Sequence, residues 1–269
     1  METRLRSIKH VALDLDGTIY SGGTLFPFTN TFLTQLRRQG IGYSFLTNNC
    51  SKSLSDYTQH LRGMGVSVEP EQIHTSAHAT YAYLKAEHPQ VKKLFLIGTP
   101  SLAAEVSAAG FVLTTESADD EPDAVLVAFD VHLSYASMCR AAYWIKQGKL
   151  FFATHPDRVC PTDLPTVLLD CGAVCAALTT ATGRVPLAVL GKPNPRMLHG
   201  LARRLGLHLE EMVMIGDRLY TDMEMARRAG VLSVLVLSGE ATQADVDAAV
   251  HQPDFVLRDL AAFGELLSE

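Results

Sequence analysis

The chain is organised around residues 9–18, which read Lys-His-Val-Ala-Leu-Asp-Leu-Asp-Gly-Thr. The apolar run at 11–13 leads directly into Asp14 and Asp16, and Gly17 follows them. An apolar run that stops at a glycine predicts a short buried strand. Alternation along a strand places Asp14 and Asp16 on the same side, although a strand end before glycine leaves the direction of each side chain open.

Two carboxylates at the end of a buried strand require a compensating charge, because burying an unpaired charge is costly. A divalent cation is the natural partner, and ligands of open α/β sheets bind at the carboxyl ends of the strands. The alternative is an Asp-Gly turn that closes a hairpin. We disfavour this alternative because no matching strand follows Gly17 in the sequence.

The composition is that of a globular protein. The chain has 269 residues, of which 47% are hydrophobic and 19% are charged, enough for one large domain or two moderate ones. The net charge is −6 and the basic residues are scattered, so we expect no nucleic-acid partner. The sequence shows no apolar signal segment and no run long enough to span a bilayer. We therefore expect a cytoplasmic protein with no membrane partner.

The five cysteines are scattered and odd in number, which argues against a disulfide framework. Cys171 and Cys175 lie four residues apart, so a helix would place them on one face, facing each other or a metal. Their alternative role is that of small buried hydrophobic residues. No histidine lies at a spacing that completes a zinc site with them, so we expect no zinc.

Strand-like and helix-like segments alternate almost throughout, which predicts an α/β fold with a parallel sheet wound by helices. A new set of strands and helices begins near residue 92 and is long enough for a small α/β domain of about 100 residues. We predict a discontinuous core domain of residues 1–80 and 185–269, interrupted by a smaller α/β domain of residues 81–184.

Two further stretches are candidates for chemistry. Thr47 and Asn48 end the second predicted strand, and small hydroxyl and amide residues before a helix can bind an anion. The alternative explanation of this stretch is an ordinary helix N-cap that uses Ser51 or Asn49, and both explanations can hold at once. Lys192 follows an apolar run between Gly191 and Pro193 and would act there as a compact point charge. The alternative for Lys192 is a lysine in a surface loop.

Asp217 and Asp222 form the last candidate stretch. The apolar run 212–215 ends in Gly-Asp, and a second aspartate follows five residues later. Thr221 and Glu224 fit a capping box, so Asp222 alone can be explained as an acid in the first turn of a helix. Asp217 precedes that cap and needs another explanation.

These candidates follow four strand ends, and the carboxyl ends of parallel strands point the same way. They can therefore converge on one edge of a sheet. Carboxylates, a lysine and anion-binding donors together suit a magnesium ion and a phosphate group. Phosphoryl transfer requires a nucleophile, neutralisation of the phosphoryl oxygens and a proton donor for the leaving oxygen.

The sequence resembles the haloacid dehalogenase (HAD) superfamily in its four motifs, which are Asp14-Leu15-Asp16-Gly17-Thr18, Thr47-Asn48-Asn49, Gly191-Lys192-Pro193 and Gly216-Asp217 with Asp222. The motif forms, and the inserted domain between the second and third motifs, resemble the NagD-like or p-nitrophenyl phosphatase-like subgroup. The resemblance implies a Rossmann-like core with an inserted α/β cap.

The resemblance also implies roles for the reacting residues. Asp14 is the expected nucleophile, which forms an aspartyl-phosphate. Asp16 is the expected acid that protonates the leaving alcohol and then the base that activates water. Thr47 and the Asn48 backbone are expected to bind the phosphoryl group, and Lys192 to neutralise charge on it and on Asp14.

Magnesium is the cofactor implied by the resemblance. Its expected ligands are the Asp14 carboxylate, the Asp16 backbone carbonyl and Asp217, while Asp222 orients a metal-bound water or Lys192. The hydrolytic dehalogenases of the superfamily lack the acid that stands here at Asp16. Its presence favours a magnesium-dependent phosphomonoesterase. A phosphomutase with the same motifs, or a non-catalytic protein that binds phosphometabolites, are the alternatives.

The cap loop departs from the subgroup pattern. It reads Thr-His-Pro-Asp at 154–157, where the subgroup usually has Thr-Asn-Pro-Asp, and His155 can titrate near neutral pH. We predict that the cap selects the substrate through His155, Asp157 and Arg158, with His155 and Arg158 facing the distal end of a small phosphorylated metabolite. The resemblance further implies a homodimer formed through the cap.

Overall fold

The computed structural model describes residues 2–115, 117–160 and 165–268. Contacts between residues divide the chain into two compact units. The first unit comprises the chain up to Thr47, then Tyr57–His74, and then the chain from Lys192 onward. The second unit comprises Asn48–Asp56 and Thr75–Gly191.

Strands and helices alternate along both units. In chain order the strands are β1 (His10–Leu13), β2 (Tyr20–Ser21), β3 (Thr24–Leu25), β4 (Gly42–Thr47), β5 (Ile73–Thr75), β6 (Lys93–Ile97), β7 (Val112–Leu113), β8 (Ala124–Val127), β9 (Leu150–Ala153), β10 (Val159–Cys160), β11 (Leu168–Leu169), β12 (Ala188–Val189), β13 (Met212–Gly216), β14 (Leu232–Val236) and β15 (Phe255–Leu257).

The helices are α1 (Glu2–Arg6), α2 (Thr29–Arg38), α3 (Leu54–Gly63), α4 (Ser76–Glu87), α5 (Pro100–Ala108), α6 (Tyr135–Lys146), α7 (Cys171–Thr182), α8 (Arg196–Leu205), α9 (Glu224–Ala229), α10 (Gln243–Ala248) and α11 (Leu260–Leu266). Short 3₁₀ turns at Pro70–Gln72 and Leu209–Glu211 precede β5 and β13, and a π-helical turn at Leu219–Met223 precedes α9.

The sheet of the first unit has six strands in the order β15-β14-β13-β1-β4-β5. Strand β1 lies near its centre and pairs in parallel with β13 on one side and β4 on the other. All residues of β1 are buried, as is typical of a parallel strand covered on both faces. The central position of β1 explains why the three residues after His10 form an unbroken apolar run.

The pairing of β1 excludes the hairpin alternative for the Asp-Gly stretch, because both neighbours of β1 are parallel to it. A short hairpin does follow Gly17, but its strands β2 and β3 pair with each other. Gly17 has a φ of +81°, a conformation that glycine adopts without steric penalty. The stretch therefore turns the chain away from the sheet at the point where the two aspartates lie.

The second unit contains a five-stranded parallel sheet in the order β12-β9-β8-β6-β7. Strand β8 lies at the centre of this sheet, and all of its residues are buried. Helix α6 and helix α7 cover one apolar layer of this sheet, which includes Phe95, Trp144 and Phe151. A second apolar layer includes Tyr81, Leu102 and Phe152. The unit is thus a three-layer α/β arrangement with its own core.

The α/β fold class with a parallel sheet is confirmed. The contact units change at 74/75 and 191/192, whereas the predicted domain boundaries lie at 80/81 and 184/185. The difference has a structural reason, because β12 (Ala188–Val189) pairs with β9 and so belongs with the second unit. Residues 48–56 also group with the second unit, which the sequence pattern did not indicate. Within the described residues, no helix has the length and apolar character needed to cross a membrane.

Candidate active site

Lys192 is the centre of a buried ionic cluster in the first unit. Its ammonium group contacts a carboxylate oxygen of Asp14 and donates to Asp222 Oδ1 at 2.7 Å. All three side chains are buried, and Asp222 is completely inaccessible to solvent. The surface-loop alternative for Lys192 is therefore excluded, because the side chain bridges two buried carboxylates.

Adjacent parallel strands bring the acids to one edge of the sheet. Asp14 follows β1, Asp217 follows β13, and Thr47 is the last residue of β4. Because β13, β1 and β4 are consecutive neighbours in the sheet, their carboxyl ends lie side by side. Carboxylate oxygens of Asp14, Asp217 and Asp222 come within 4.8 Å of one another. The predicted convergence of Asp14, Lys192, Asp217 and Asp222 is therefore present in the structure.

Asp222 reaches this cluster through a local departure from helical geometry. The predicted capping box of Thr221 and Glu224 does not form, because a π-helical turn occupies Leu219–Met223 and α9 begins only at Glu224 without a side-chain cap. A Cβ at Gly216 would collide with the Asp222 carboxylate. Asp222 is thus drawn against the end of β13 and towards Lys192, and it is not an exposed acid of the first helical turn.

The cluster holds more negative than positive charge. Burial raises the pKa of Asp14 to about 7, and the nearby carboxylates act in the same direction while Lys192 opposes them. Burial likewise raises the pKa of Asp217 to about 6, with a further contribution from Asp222. Burial works to lower the pKa of Lys192, but Asp14 and Asp222 outweigh it and raise that pKa. The carboxylates therefore lack sufficient compensation from the protein alone.

The loop after β14 surrounds one oxygen of Asp217. The main-chain N–H of Glu240 donates to Asp217 Oδ2 at 2.7 Å. A Cβ at either Gly17 or Gly239 would collide with the same oxygen. In contrast, Asp217 Oδ1 is buried and has no hydrogen-bond partner among the described residues. A buried carboxylate oxygen without a partner is costly unless a cation or another donor satisfies it.

This donor set fits a hard divalent cation. Mg²⁺ takes oxygen ligands, commonly one or two carboxylates in a site that it shares with a phosphate. The unpartnered Oδ1 of Asp217 and the adjacent Asp14 carboxylate provide such oxygens, and their combined negative charge exceeds the single ammonium of Lys192. The Asp16 backbone carbonyl, which the resemblance implies as a further ligand, stays a prediction.

Two of the predicted chemical residues are placed differently from this cluster. Asp16 is exposed, and its backbone forms an isolated bridge with Tyr20. Thr47 is buried at the end of β4. The exposure of Asp16 suits a group that exchanges protons with solvent or substrate, whereas its neighbour Asp14 is held inside the cluster.

The other candidate residues belong to the second unit. The Asn48 side-chain amide donates to Asp157 Oδ2 at 3.1 Å and to Oδ1 at 3.3 Å. Arg158 is exposed. Asn48 and Asp157, which are 109 positions apart in the sequence, are thus brought together by the fold. A Cβ at Gly191 would collide with the Asn48 side chain, which explains the glycine immediately before Lys192.

His155 lies entirely inside the second unit. Its Nε2 is 2.8 Å from Asp170 Oδ1, and its Nδ1 is 2.8 Å from the Thr154 hydroxyl. Burial works to lower the pKa of His155, but Cys171 and Asp170, with a contribution from Cys50, raise it well above its ordinary value. Asp170 also caps the N-terminus of α7. The ring is therefore fixed between the cap loop and this helix.

Sequence reasoning missed Asp170, Arg218, Gly239 and Glu240. Gly239 and Glu240 follow the end of β14, the neighbour of β13, so the rule that ligands bind at the carboxyl ends of strands could have pointed to them. Arg218 directly follows Asp217. Asp170 carries no comparable signal, since its pairing with His155 depends on the folded cap loop.

Comparisons with known proteins agree with this geometry. A family profile described as haloacid dehalogenase-like hydrolase matches residues 11–112, and one described as HAD-hydrolase-like matches residues 189–263. The chain is 32% identical over 255 residues to the ribonucleotide monophosphatase NagD of Escherichia coli K12, covering 95% of this chain and 98% of that protein.

Solved structures show the same similarity over nearly the whole chain. A 4-nitrophenylphosphatase from Thermotoga maritima is 36% identical, with a TM-score of 0.91 and coverage of 97% of this chain and 98% of the other. A glycerol phosphate phosphatase from Mycobacterium tuberculosis, solved in complex with magnesium, is 31% identical with a TM-score of 0.89. That comparison covers 97% of this chain and 78% of the other.

Proposed function

We propose that this chain, which belongs to the haloacid dehalogenase-like hydrolases and within them to the NagD-like phosphatases, hydrolyses small phosphate monoesters through an aspartyl-phosphate on Asp14. The family membership rests on identity above 30% to relatives that the chain covers almost completely.

One observation carries the proposal. Asp14, which lies at the end of the central strand, is buried against the ammonium of Lys192, while the adjacent Asp217 keeps an unpartnered oxygen. A carboxylate fixed by a lysine is oriented for attack on phosphorus, and the fixed positive charge stabilises the oxygens of the transferred group. Asp222 holds Lys192 from its other side and so fixes the ammonium in place.

The cofactor proposed for this site is Mg²⁺, held by the carboxylates of Asp14 and Asp217. When bound, it would neutralise the phosphate oxygens and the excess negative charge of the cluster. A relative of known structure was solved in complex with magnesium. Asp217 Oδ1, which has no hydrogen-bond partner among the described residues, is the oxygen that the protein leaves for it.

Asp16 supplies the proton chemistry in this proposal. It protonates the leaving alcohol as the Asp14–phosphorus bond forms, and it then accepts a proton from the water that hydrolyses the aspartyl-phosphate. The exposed position of Asp16 supports this role, because an acid–base group must reach both the leaving oxygen and water. Thr47 and the Asn48 main chain bind the phosphoryl oxygens.

The substrate class is a small phosphorylated metabolite. Relatives are named for ribonucleotide monophosphates, 4-nitrophenyl phosphate and glycerol phosphate, which share a phosphate monoester and little else. Arg158, exposed in the cap loop, is the residue that we expect to contact the distal end of the substrate. The same role for His155 stays a prediction, although its contacts with Asp170 and Thr154 favour a positioning role. The homodimer and the cytoplasmic location also stay predictions.

The test is release of phosphate from p-nitrophenyl phosphate by the intact protein and by Asp14→Asn, each with Mg²⁺ and with EDTA. We expect activity that requires the metal, and we expect Asp14→Asn to reduce kcat by about 10⁴-fold or more. Activity that survives Asp14→Asn would overturn the nucleophile assignment. A panel of nucleotide, glycerol and sugar phosphates then ranks the substrates, and Asp247→Asn, an exposed aspartate of α10, is the matched control.

A further inference from the structure

Three side chains that the proposed mechanism does not use form a cluster beside Asp217. Arg218 Nε lies 2.8 Å from Glu240 Oε2, and the Tyr220 hydroxyl donates to Glu240 Oε1 at 2.7 Å. The main-chain N–H of Glu240 donates to Asp217 Oδ2. Glu240 therefore contacts Asp217 through its backbone and Arg218 through its side chain.

Arg218 is a potential competitor for the metal site. It is the residue directly after Asp217, and its charge interacts with both Asp217 and Asp14. A guanidinium pairs strongly with carboxylates and presents its donors in a fixed planar fork. An Arg218 side chain that turned to Asp217 would satisfy Oδ1, and its positive charge would oppose a divalent cation at the same place.

The formal charges also indicate that Arg218 would compete with a divalent cation. The carboxylates of Asp14, Asp217 and Asp222 lie within 4.8 Å of one another, and one ammonium, that of Lys192, contacts Asp14 and Asp222. The formal charges therefore leave two negative charges to match a divalent cation. The guanidinium of Arg218 would reduce this excess to a single negative charge. The carboxylate of Glu240, 2.8 Å from Arg218, restores the balance.

We propose that Glu240 is a positioning residue for the metal site, because it holds Arg218 away from Asp217 and leaves Asp217 Oδ1 available to a divalent cation. The observation behind it is that Arg218 pairs with Glu240 while Asp217 Oδ1, one residue away in sequence, has no hydrogen-bond partner among the described residues. The inference rests on the metal component of the proposed function.

Glu240→Gln separates the side-chain role of Glu240 from its backbone role. The substitution keeps the main-chain N–H that binds Asp217 Oδ2 and keeps the size of the side chain, but it removes the charge that holds Arg218. The double variant Arg218→Gln with Glu240→Gln removes the competitor as well. Glu211→Gln is the matched control, because Glu211 pairs with Lys9 and directly precedes β13, at the opposite end of the strand that leads to Asp217.

The experiment is calorimetric titration of MgCl₂ into each metal-free protein. We expect Glu240→Gln to raise the Kd for Mg²⁺ about tenfold, within the range measured for coupled neighbouring residues. The double variant should return to within about twofold of the unsubstituted protein, and Glu211→Gln should bind as the unsubstituted protein does. Thermal melts in EDTA check that each variant is folded.

Two results would overturn the inference alone. One is an unchanged Kd in Glu240→Gln, and the other is a double variant that binds Mg²⁺ as weakly as Glu240→Gln, since the effect would then not act through Arg218. Failure of the unsubstituted protein to bind Mg²⁺ would overturn the proposed cofactor as well. The readout is metal binding, so it does not depend on finding the correct substrate.

Discussion

The two units each bury a charged cluster directly after a parallel strand, and the two clusters differ in how completely they are satisfied. In the first unit, Lys192 contacts Asp14 and Asp222, and the Asp217 carboxylate lies within 4.8 Å of both acids. Asp217 Oδ1 has no hydrogen-bond partner within the described part of the chain. In the second unit, both ring nitrogens of His155 have partners within 2.8 Å. The first cluster thus keeps a free carboxylate oxygen that an additional cation would satisfy, whereas the His155 ring of the second cluster is fully hydrogen-bonded.

Whether every buried polar atom has a partner distinguishes a chemical site from a structural one better than the burial of its side chains or their pKa shifts do. Both clusters are almost inaccessible to solvent, and both contain groups with shifted pKa values. Perturbed groups occur in structural ion-pair networks as well as in active sites. What distinguishes the first cluster is excess charge of one sign together with an unsatisfied acceptor, an arrangement that a bound cation would compensate.

The largest effect is expected from removing the only ammonium of the first cluster. Lys192→Met should lower kcat for p-nitrophenyl phosphate by about 10³-fold, since a fixed donor to the developing charge is lost. Steady-state kinetics at saturating Mg²⁺ measure this. Lys9→Met, an exposed lysine of the same unit, is the matched control and should keep full activity. A loss smaller than tenfold in Lys192→Met would contradict the assignment of Lys192 to the reaction.

A smaller effect, on stability, is expected in the second cluster. Asp170→Asn keeps a residue that caps α7 well but removes the charge beside His155, and we expect it to lower the free energy of unfolding by about 1–3 kcal/mol at pH 6. The kcat should change by less than tenfold. Urea denaturation followed by circular dichroism measures the stability.

The same variant should show a defined pH dependence. The pKa of His155 is raised in the folded protein, so its stabilising contribution is complete below about pH 6.5, the pKa of an unfolded histidine. It is lost as the pH rises through the folded pKa. The stability difference between the unsubstituted protein and Asp170→Asn should therefore shrink at alkaline pH. A difference that is constant between pH 5.5 and pH 9 would show that no charged pair exists.

A gain in stability, the opposite of the loss expected for Asp170→Asn, is expected when a charge is removed from the cluster of the first unit. In EDTA at pH 8, Asp217→Asn should raise Tm by about 3 °C, because it removes one of three neighbouring carboxylates and relieves roughly 1 kcal/mol of unfavourable burial. Added Mg²⁺ should stabilise the unsubstituted protein but not this variant. Differential scanning calorimetry measures both effects. A fall of Tm in EDTA would mean that Asp217 is satisfied without a metal.

The smallest effect is expected at the exposed end of the cap loop. Arg158→Ala should raise KM about threefold to tenfold for phosphate esters with a second anionic group, and it should leave KM for p-nitrophenyl phosphate unchanged. An exposed charge pair contributes little, so only the substrate with a matching charge should respond. Equal KM changes for both substrates would exclude Arg158 from substrate selection.

The strand positions were predictable because an apolar run that stops at Gly-Asp or Asp-x-Asp-Gly is compatible with few structures other than a short buried strand. The sequence correctly indicated that Asp14 and Asp217 follow buried strands of one sheet, and it indicated Lys192 through its fixed position between Gly191 and Pro193. It did not predict the π-helical turn at Leu219–Met223, since the choice between that turn and a capping box depends on contacts with Lys192.

The sequence by itself determined the α/β fold, the family and the identity of the acids at the strand ends, because periodicity and motif spacing are local properties of the chain. Only the tertiary structure decided which polar groups are satisfied. The pairing of His155 with Asp170, of Asn48 with Asp157 and of Arg218 with Glu240 joins residues 15, 109 and 22 positions apart in the sequence. A hydrogen bond or ion pair depends on distances of a few ångströms, and folding alone sets these.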